Sequence, residues 1–325
     1  MIYPKFLKKD DTIGICALSA GVGHKINEFN DSLNILKNEG YKIKESSSVR
    51  VNALSSNTPI NRALELDELI KDENIKMVMC ASGGDSQIET IPYINYKNIK
   101  NNPKWLMGAS DPTNLLFVVT TMLDIATIYG FNAGGYYKNG CISQDYNLNI
   151  LKGNLLTQKS FDKYLDFIDE IKGIQNYKKV NYKGNLKTSG RLIGGCLDCI
   201  GKLVGTKYDY VNNFIDKYKN DGIIWYFDIF SLSAYDTYLT LLQLKYAGYF
   251  RYCKGILFGR IAFPNTENSE YIKNYEEGYQ KALENIKYVS EIDIGHTFES
   301  FTLINGALIN INIENKKGEI SFKLD

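Results

Sequence analysis

Hydrophobic and polar positions follow two alternating periods in the first half of the chain. Segments with helical spacing of apolar residues, such as "INEFNDSLNILKNEG" and "NRALELDELIKDEN", separate apolar runs of strand length. These runs are "TIGICAL" (12–18), "KMVMCAS" (76–82), "KWLMGAS" (104–110) and "IATIYGF" (125–131). Strands that are apolar on both faces and alternate with helices are typical of a parallel sheet built from βαβ units. The pattern predicts a doubly wound α/β first domain.

The pattern changes between residues 158 and 188, which are charged, polar and rich in Tyr, without a clear apolar period after Ile174. Such a stretch is typical of a connection between domains. A second α/β pattern follows, with the predicted helix "AYDTYLTLLQLKYAG" between the predicted strands "GIIWYFDI" and "KGILFGR". We therefore predict a first domain over 1–165, a connecting segment over 166–188 and a second domain over 189–325.

Length and charge narrow the class of protein. The chain has 325 residues, enough for two domains. Its 38 Lys and Arg residues nearly balance 37 Asp and Glu residues, so it lacks the field that attracts nucleic acid or an anionic membrane. The amino-terminal "MIYPKFLKKDDTIGICALSAG" has only a short apolar stretch, which fits a buried strand better than a signal peptide or a spanning helix. We expect a cytoplasmic protein without nucleic-acid or membrane partners.

The cysteines and glycines give little support to cofactor chemistry. Six cysteines are scattered along the chain, several in apolar runs where a free thiol packs as a small hydrophobe. "CLDC" is a C-x-x-C motif without a second cysteine pair, and two histidines are too few for a typical zinc set. "GVGHKI" lacks the third glycine of a dinucleotide fingerprint. Buried packing is the expected role of the C-x-x-C pair.

Ser110 ends an apolar run in "WLMGASDPTNLL" just before a predicted helix. A strand that ends in Gly-x-Ser and leads directly into a helix is the geometry of a nucleophile elbow. Only half of that pattern is present, because Asp111 follows the serine and no glycine stands at 112. In the alternative interpretation Ser110 or Asp111 caps the helix and Pro112 is its first residue. The segment alone leaves both interpretations open.

A base and an orienting acid for such a serine have few candidates. His24 lies in a polar loop, where a surface or capping role is expected, whereas His296 ends a short apolar run in "EIDIGHTFES". His296 is the better candidate base, although a structural histidine also fits that position. Asp228 is a lone acid within "IIWYFDIFSLS". Burying it is costly without a cation or imidazole partner, which makes it a candidate to orient the histidine.

The glycine pair in "ASGGDS" (81–86) follows a predicted strand. A backbone turn of this kind can point N–H groups at an anion. An ordinary turn between a strand and a helix explains the same residues equally well.

Taken together, these segments resemble the LD-carboxypeptidase family of serine peptidases, which also contains the microcin C7 self-immunity proteins. The resemblance runs through nearly the whole chain, and the order and spacing of the motifs make it specific. The motifs are "IGICALSAG", "CASGGDSQIETIPYINY", "GASDPTNLLFVVTTMLDIATIYGFNAG", "GRLIGGCLDCIGKLVGT", "IIWYFDIFSLS", "LLQLKYAGYFRYCKGILFGR" and "IDIGHTFESFTLINGA".

The resemblance implies a flavodoxin-like, parallel-sheet amino-terminal domain, a smaller carboxy-terminal α/β domain, an active site in the groove between them, and a homodimer. It implies that Ser110 is the nucleophile and that His296 and Asp228 are its base and orienting acid. The backbone amides of Gly84 and Asp111 would form the oxyanion hole, and no metal or organic cofactor would be needed. The chain departs from the family at Asp228, where Glu is usual.

The activity implied by the resemblance is a serine carboxypeptidase that cuts the L–D peptide bond of murein tetrapeptides and releases terminal D-alanine. The substrate would be a small peptide or muropeptide. An alternative is an amidase that cleaves aminoacyl-nucleotide antibiotics, whose relatives place an aromatic residue before the second domain. Trp105 and Trp225 lie in predicted strands instead, although Tyr177 and Tyr182 could substitute. A third alternative, suggested by Asp228, is an inactive peptide-binding homologue.

Overall fold

The chain divides into two compact units in the computed structural model, which describes residues 1–136, 141–265 and 270–325. The first unit comprises Met1–Leu156 and Thr302–Gly306, and the second comprises Thr157–Phe301 and Ala307–Asp325. Within the described ranges, no helix is long and apolar enough to cross a membrane.

Strands and α-helices alternate along most of the described chain. The strands are β1 Thr12–Cys16, β2 Lys42–Glu45, β3 Ile75–Cys80, β4 Trp105–Gly108, β5 Thr127–Tyr129, β6 Gln158–Lys159, β7 Lys163–Tyr164, β8 Lys178–Lys179, β9 Leu186–Cys196, β10 Ile223–Asp228, β11 Cys253–Gly259, β12 Tyr288–Ile292, β13 Leu303–Asn305, β14 Leu308–Glu314 and β15 Lys317–Lys323. The helices are α1 Ile26–Asn38, α2 Pro59–Lys71, α3 Tyr96–Asn101, α4 Thr113–Leu123, α5 Ile142–Leu151, α6 Phe167–Ile171, α7 Leu197–Leu203, α8 Val211–Lys217, α9 Ala234–Tyr246 and α10 Tyr275–Leu283.

The sheet of the first unit has the order β13-β5-β4-β3-β1-β2. Strands β1 to β5 pair in parallel, and their order 2-1-3-4-5 is the flavodoxin-like one. Only β13 runs antiparallel, beside β5. The doubly wound α/β fold predicted from the apolar periodicity is confirmed.

Helix α4 is buried more completely than a surface helix, since residues 113–121 are all buried. Its sequence, TNLLFVVTTML, is apolar on most sides, so it can pack in the interior of the unit. The strand before it, β4, is also fully buried. The short turn between β4 and α4, which carries Ser110, is thus fixed at both ends in the core.

The sheet of the second unit has the order β12-β11-β10-β9-β14-β15-β6. Strands β9 to β12 are parallel, whereas β14, β15 and β6 add an antiparallel half. Every residue of β10, IIWYFD, is buried. The strands and helix predicted over 222–260 are confirmed as β10, α9 and β11.

The boundary between the units differs from the predicted one. The second unit begins at Thr157, so it includes the segment 166–188 that the sequence predicts as a connection. Strand β6 pairs with β15, and β9 already begins at Leu186. Strand β6, QK, is too short and too polar to give an apolar period. The second unit is consequently about as long as the first, whereas the resemblance implies a smaller one.

Candidate active site

Residues 108–111 link β4 to α4, and we call them the nucleophile turn after the role that the sequence predicts for Ser110. Ser110 has a φ of 70°, in the left-handed region that non-glycine residues rarely adopt. A residue held there stores on the order of 1 kcal/mol or more of strain, and such strain is concentrated at functional sites. The cap position of α4 is Pro112, and the helix begins at Thr113. Pro112 therefore precedes the helix instead of being its first residue, and the cap is neither Ser110 nor Asp111.

Two side chains from the end of β5 hold the backbone of the nucleophile turn. The amide of Ala109 donates to Asn132 Oδ1 at 3.1 Å, and Asn132 Nδ2 donates to the carbonyl of Ala109 at 3.2 Å. The amide of Ser110 donates to the hydroxyl of Tyr129 at 3.0 Å. Sequence reasoning missed both side chains, although polar residues directly after a strand, in "TIYGFNAG", were the available signal.

The carboxylate of Asp111 ties the nucleophile turn to the loop after β3. It is buried and accepts hydrogen bonds from Ser19 Oγ at 2.5 Å, the amide of Gln87 at 2.8 Å and Asn114 Nδ2 at 2.8 Å. Ser19 Oγ in turn accepts from the amide of Ser86 at 3.1 Å. The sequence predicts a backbone role for Asp111 in the oxyanion hole or a helix cap, and these bonds to the loop after β3 are an additional side-chain role.

The double glycine of the same loop passes directly beside Ser110. A Cβ added to Gly83 would lie 3.1 Å from Ser110 Cβ and 3.3 Å from Ser110 Oγ. Gly84 has a φ of 138°, and a Cβ there would meet Ser19 Oγ. Gly84 therefore needs to be glycine for its backbone conformation, and a side chain at Gly83 would be tightly packed against Ser110. The oxyanion-hole role of the Gly84 and Asp111 amides stays a prediction.

Asp228 and His296 form a buried pair within the second unit. Asp228 is the last residue of β10 and is fully buried, while the side chain of His296 is 12% exposed. The Nδ1 atom of His296 lies 3.0 Å from Oδ1 and 2.9 Å from Oδ2 of Asp228. The shorter acid thus reaches the imidazole in this chain.

Gly295 explains the close approach of the two segments. Its φ is 100°, and a Cβ at this position would overlap Oδ1 of Asp228. Any other residue would displace the loop that carries His296 or the carboxylate itself. The Gly-His pair of the sequence is therefore a packing requirement of the acid as well as a backbone turn.

The surroundings of His296 favour its charged form. Burial by itself lowers the pKa of His296, but the charge of Asp228, its hydrogen bond and the charge of Asp198 outweigh burial and raise the pKa above the usual 6.5. Two aromatic rings pack on the imidazole, Phe230 with its centroid at 4.5 Å and Phe167 at 5.6 Å. The ring is thus held by an ion pair on its edge and by aromatic contacts.

The predicted site residues belong to both units. Ser110, Gly84 and Asp111 are part of the first unit, and Asp228 and His296 are part of the second. The other histidine, His24, is exposed in a short 3₁₀ turn of the first unit.

The C-x-x-C pair lies at the start of α7. Cys196 and Cys199 are both buried. The hydrogen bond between the two thiols, together with burial, raises the pKa of Cys196, which makes it a poor thiolate. Within the described part of the chain, no group of three or more His, Cys, Asp or Glu side chains is placed to hold a metal ion.

A serine in a strained turn between strand and helix, on one α/β unit, and a buried Asp–His pair on another are features of serine hydrolases. Comparison of the sequence with family models gives the same class. Residues 13–130 match the LD-carboxypeptidase N-terminal domain, and residues 189–311 match the LD-carboxypeptidase C-terminal domain. The chain belongs to the LD-carboxypeptidase family of peptidases.

Individual relatives are distant. A Vibrio cholerae protein with carboxypeptidase in its name is 27% identical over 64% of this chain and 66% of its own length, just under two thirds. The microcin C7 self-immunity protein MccF of Escherichia coli is 25% identical over 96% of this chain and 93% of its own. A Bacillus subtilis protein named probable murein peptide carboxypeptidase is 24% identical over 98% and 93%. The solved structure of wild-type MccF without ligand superposes with a TM-score of 0.86 at 23% identity, covering 100% of this chain and 99% of that one, and supports the fold.

Proposed function

We propose that this protein is a serine carboxypeptidase that hydrolyses the L–D peptide bond before a terminal D-alanine in murein tetrapeptides. The observation that carries the proposal is the buried Asp228–His296 pair, with Nδ1 of the imidazole 2.9 to 3.0 Å from the carboxylate oxygens. The similarity to the Bacillus subtilis protein named probable murein peptide carboxypeptidase supports the choice of substrate.

The pair suits His296 to act as a general base. Because Nδ1 faces Asp228, the proton on that nitrogen is held by the carboxylate, and Nε2 is the nitrogen that receives a proton. In the proposed reaction, Nε2 takes the Ser110 proton while Oγ attacks the carbonyl of the L-residue. The imidazolium then gives this proton to the departing amine of D-alanine. Water hydrolyses the acyl-serine by the same two proton transfers, which restores Ser110.

The developing oxyanion is assigned to the amides of Gly84 and Asp111. The close approach of Gly83 to Ser110 supports this assignment, because the amide of Gly84 belongs to the peptide group that follows Gly83. The side chain of Asp111 is hydrogen-bonded to Ser19 and to the amide of Gln87. These bonds would fix the positions of the Gly84 and Asp111 amides before substrate binds. Such preorganisation is the main source of oxyanion stabilisation in acyl transfer.

The second candidate function is an amidase that acts on aminoacyl-nucleotides. The similarity to the self-immunity protein MccF and one local observation favour it. Tyr177, in the segment 166–188, is 45% exposed and could stack on a base. The other aromatic candidates are not exposed for stacking on a base, since Trp105 and Trp225 are buried in strands and Tyr182 is buried and bonded to Asp293. One exposed tyrosine is weaker support than a tryptophan, so the peptidase is the leading proposal.

Two measurements test the proposal. The protein is incubated separately with murein tetrapeptide and with an aminoacyl-sulfamoyl adenylate, and the products are identified by mass. Release of D-alanine from the tetrapeptide supports the peptidase, and release of the amino acid from the adenylate supports the amidase. Labelling by a fluorophosphonate separates both from an inert binder. The wild type is expected to label at Ser110 and the S110A variant is not, whereas absence of labelling and of both products would refute an enzyme of this class.

A further inference from the structure

Asp198 lies in the first turn of α7, two residues after the end of β9, and its side chain is turned away from its own helix. Its carboxylate accepts hydrogen bonds from the amides of Phe230 at 3.0 Å, Ser231 at 2.9 Å and Leu232 at 3.2 Å. It also accepts one from the hydroxyl of Ser231 at 3.0 Å. One carboxylate thus receives three consecutive backbone amides, a concentration of donors that an ordinary helix residue does not have.

These three amides belong to the turn that directly follows Asp228 at the end of β10. Within this turn, the ring of Phe230 packs on the imidazole of His296, with 4.5 Å between centroids. The turn is otherwise half exposed, and Ser231 is exposed. The ring of Phe230 also packs on Phe167 and Phe263, and the carbonyls of Phe230 and Leu232 accept hydrogen bonds from the Phe263 amide and the Tyr275 hydroxyl. Asp198 is the acceptor of the three backbone amides, so it fixes the donor groups of a turn whose carbonyls are held by other residues.

We propose that Asp198 is a positioning residue for His296, which it serves by fixing the turn that holds Phe230 against the imidazole and by adding a second negative charge to that of Asp228. The inference deepens the proposed function, because it concerns the base of the same reaction. The charge and the turn should both speed the reaction. The charge stabilises the imidazolium that forms during attack, and the turn fixes the plane of the His296 ring.

The charged groups that act on His296 come from two of the elements around it. Asp228 is at the end of β10 and Asp198 is in α7, and both raise the pKa of the imidazole. The rings of Phe230 and Phe167, the latter from α6, contribute apolar contact without charge. Removing the charge of Asp198 therefore leaves Asp228 as the one carboxylate among these groups.

The chain offers a direct measurement, because it has only two histidines. An NMR titration of the imidazole protons follows His296, and the H24Q variant identifies the signals of His24. In D198N, which can keep one acceptor oxygen but loses the charge, the midpoint of His296 is expected to fall by about half a pH unit. The acidic limb of kcat/KM should move to lower pH by the same amount, with a loss of kcat of about threefold to thirtyfold.

A matched control is available in the same unit. Asp209 also accepts backbone amides, from Gly205 at 2.8 Å and Val211 at 3.3 Å, together with the hydroxyl of Tyr249 at 2.7 Å. It is not among the charges that act on His296. The D209N variant should have a lower free energy of unfolding than the wild type. Its His296 titration midpoint and its pH profile of kcat/KM should be unchanged.

The outcomes separate the inference from the proposed function. A titration midpoint in D198N equal to that of the wild type, with only the unfolding temperature lowered, would overturn the positioning role. If D198A folds, its His296 proton resonances should also lose the ring-current shift caused by Phe230, and retention of that shift would contradict the role of the turn. Neither measurement requires turnover. If the protein hydrolysed neither substrate, the proposed function would be refuted, but the NMR measurements would still test the role of Asp198.

Discussion

The nucleophile turn of the first unit and the Asp228–His296 pair of the second are built in opposite ways. Each includes a residue at the carboxyl end of a parallel strand, since the turn begins at the end of β4 and Asp228 is the last residue of β10. The nucleophile turn stores strain at Ser110, whose φ is 70°, and its backbone at Ala109 and Ser110 is held by neutral hydrogen bonds, while the carboxylate of Asp111 bonds to the neighbouring loop. The acid–base pair is held by charge, burial and aromatic packing.

The difference fits the roles proposed for Ser110 and His296. A serine nucleophile needs a particular direction for Oγ, which the backbone sets, whereas a histidine base needs a particular tautomer and charge stability, which a neighbouring carboxylate sets. The first region should therefore respond to changes in backbone strain and the second to changes in charge. Substitutions in each region test this contrast, beginning with the largest expected effect.

Replacement of Ser110 tests strain and chemistry separately. Both S110A and S110G are expected to lose hydrolysis by roughly ten-thousand-fold or more, because the attacking oxygen is gone. Alanine keeps the positive φ, while glycine adopts it without cost, so S110G should be more stable than S110A by about 1 kcal/mol in urea unfolding. S47A, which changes a serine bonded to Glu65, is the control for turnover. Retained turnover in S110A would reject the serine mechanism, and equal stability would reject the stored strain.

Removal of the charge from Asp228 should be nearly as damaging. In D228N the amide can hold the wrong tautomer of His296 and cannot stabilise the imidazolium, so kcat is expected to fall by about ten-thousand-fold while the fold is retained. The midpoint of His296 in an NMR titration should fall in the same variant, since Asp228 is the main cause that raises the pKa. An active D228N would mean that another group orients the histidine.

The family's usual acid should fit this chain worse than Asp228 does. Asp228 is fully buried, and a Cβ on Gly295 would already overlap its Oδ1 atom, so the extra methylene of D228E has no free space. We expect D228E to displace the loop that carries His296 and to lower kcat/KM by about tenfold to a hundredfold. Activity equal to or above that of the wild type would show that the strand has kept the geometry suited to Glu.

A change at Tyr129 tests whether side chains support the nucleophile turn. Y129F removes the hydroxyl that accepts from the Ser110 amide, and the loss of one such hydrogen bond costs about 0.5 to 1.5 kcal/mol. We expect kcat to fall about tenfold, because the direction of Oγ is no longer fixed. Y136F is the matched control, since Tyr136 is a buried tyrosine of the same unit that donates to Asn147. It should lose stability with kcat unchanged, and an equal loss of kcat in both variants would argue against a specific role of Tyr129.

The apolar parts of both units could be predicted from the sequence, and the polar parts that complete them could not. Strands such as β3, β4 and β10 have continuous apolar runs, and each was predicted within a few residues. Strand β2, KIKE, was missed because a charged edge strand has no apolar run. Strand β13 is a different case, since "TLIN" has the apolar residues of a short strand but nothing in it indicates that it joins the sheet of the first unit.

The candidate site divides in the same way. Asp228 could be singled out because a lone acid in an apolar strand needs a partner, and His296 because histidines are scarce. Polar residues after a strand were a signal for Tyr129 and Asn132, but the partners of these two residues and of Asp198 could not be predicted, because each acts on backbone amides that are distant in sequence. Only the fold brings a side chain and such an amide together, as with Asp198 and the amide of Phe230.

The smallest predicted effect is a dependence of stability on pH that comes from His296. Its pKa is raised above 6.5 in the folded protein, so the folded state binds the proton more tightly than the unfolded state does. The stabilisation is therefore fully present below about pH 6.5 and is lost as pH rises through the folded pKa. Activity should change in the opposite direction over the same range, because the base must be neutral to accept the Ser110 proton.

Other groups also titrate in this range and must be subtracted. Burial lowers the pKa of Lys104 to about 8, so its contribution to stability rises with pH, opposite in sign to that of His296. The informative quantity is thus the difference in unfolding free energy between the wild type and H296Q, measured in urea from pH 5.5 to 8.5, with H24Q as the control. This difference should shrink as pH rises. If the difference for H296Q does not change with pH, charge contributes nothing to holding the imidazole. The Asp228–His296 pair would then not differ from the nucleophile turn in the way proposed above.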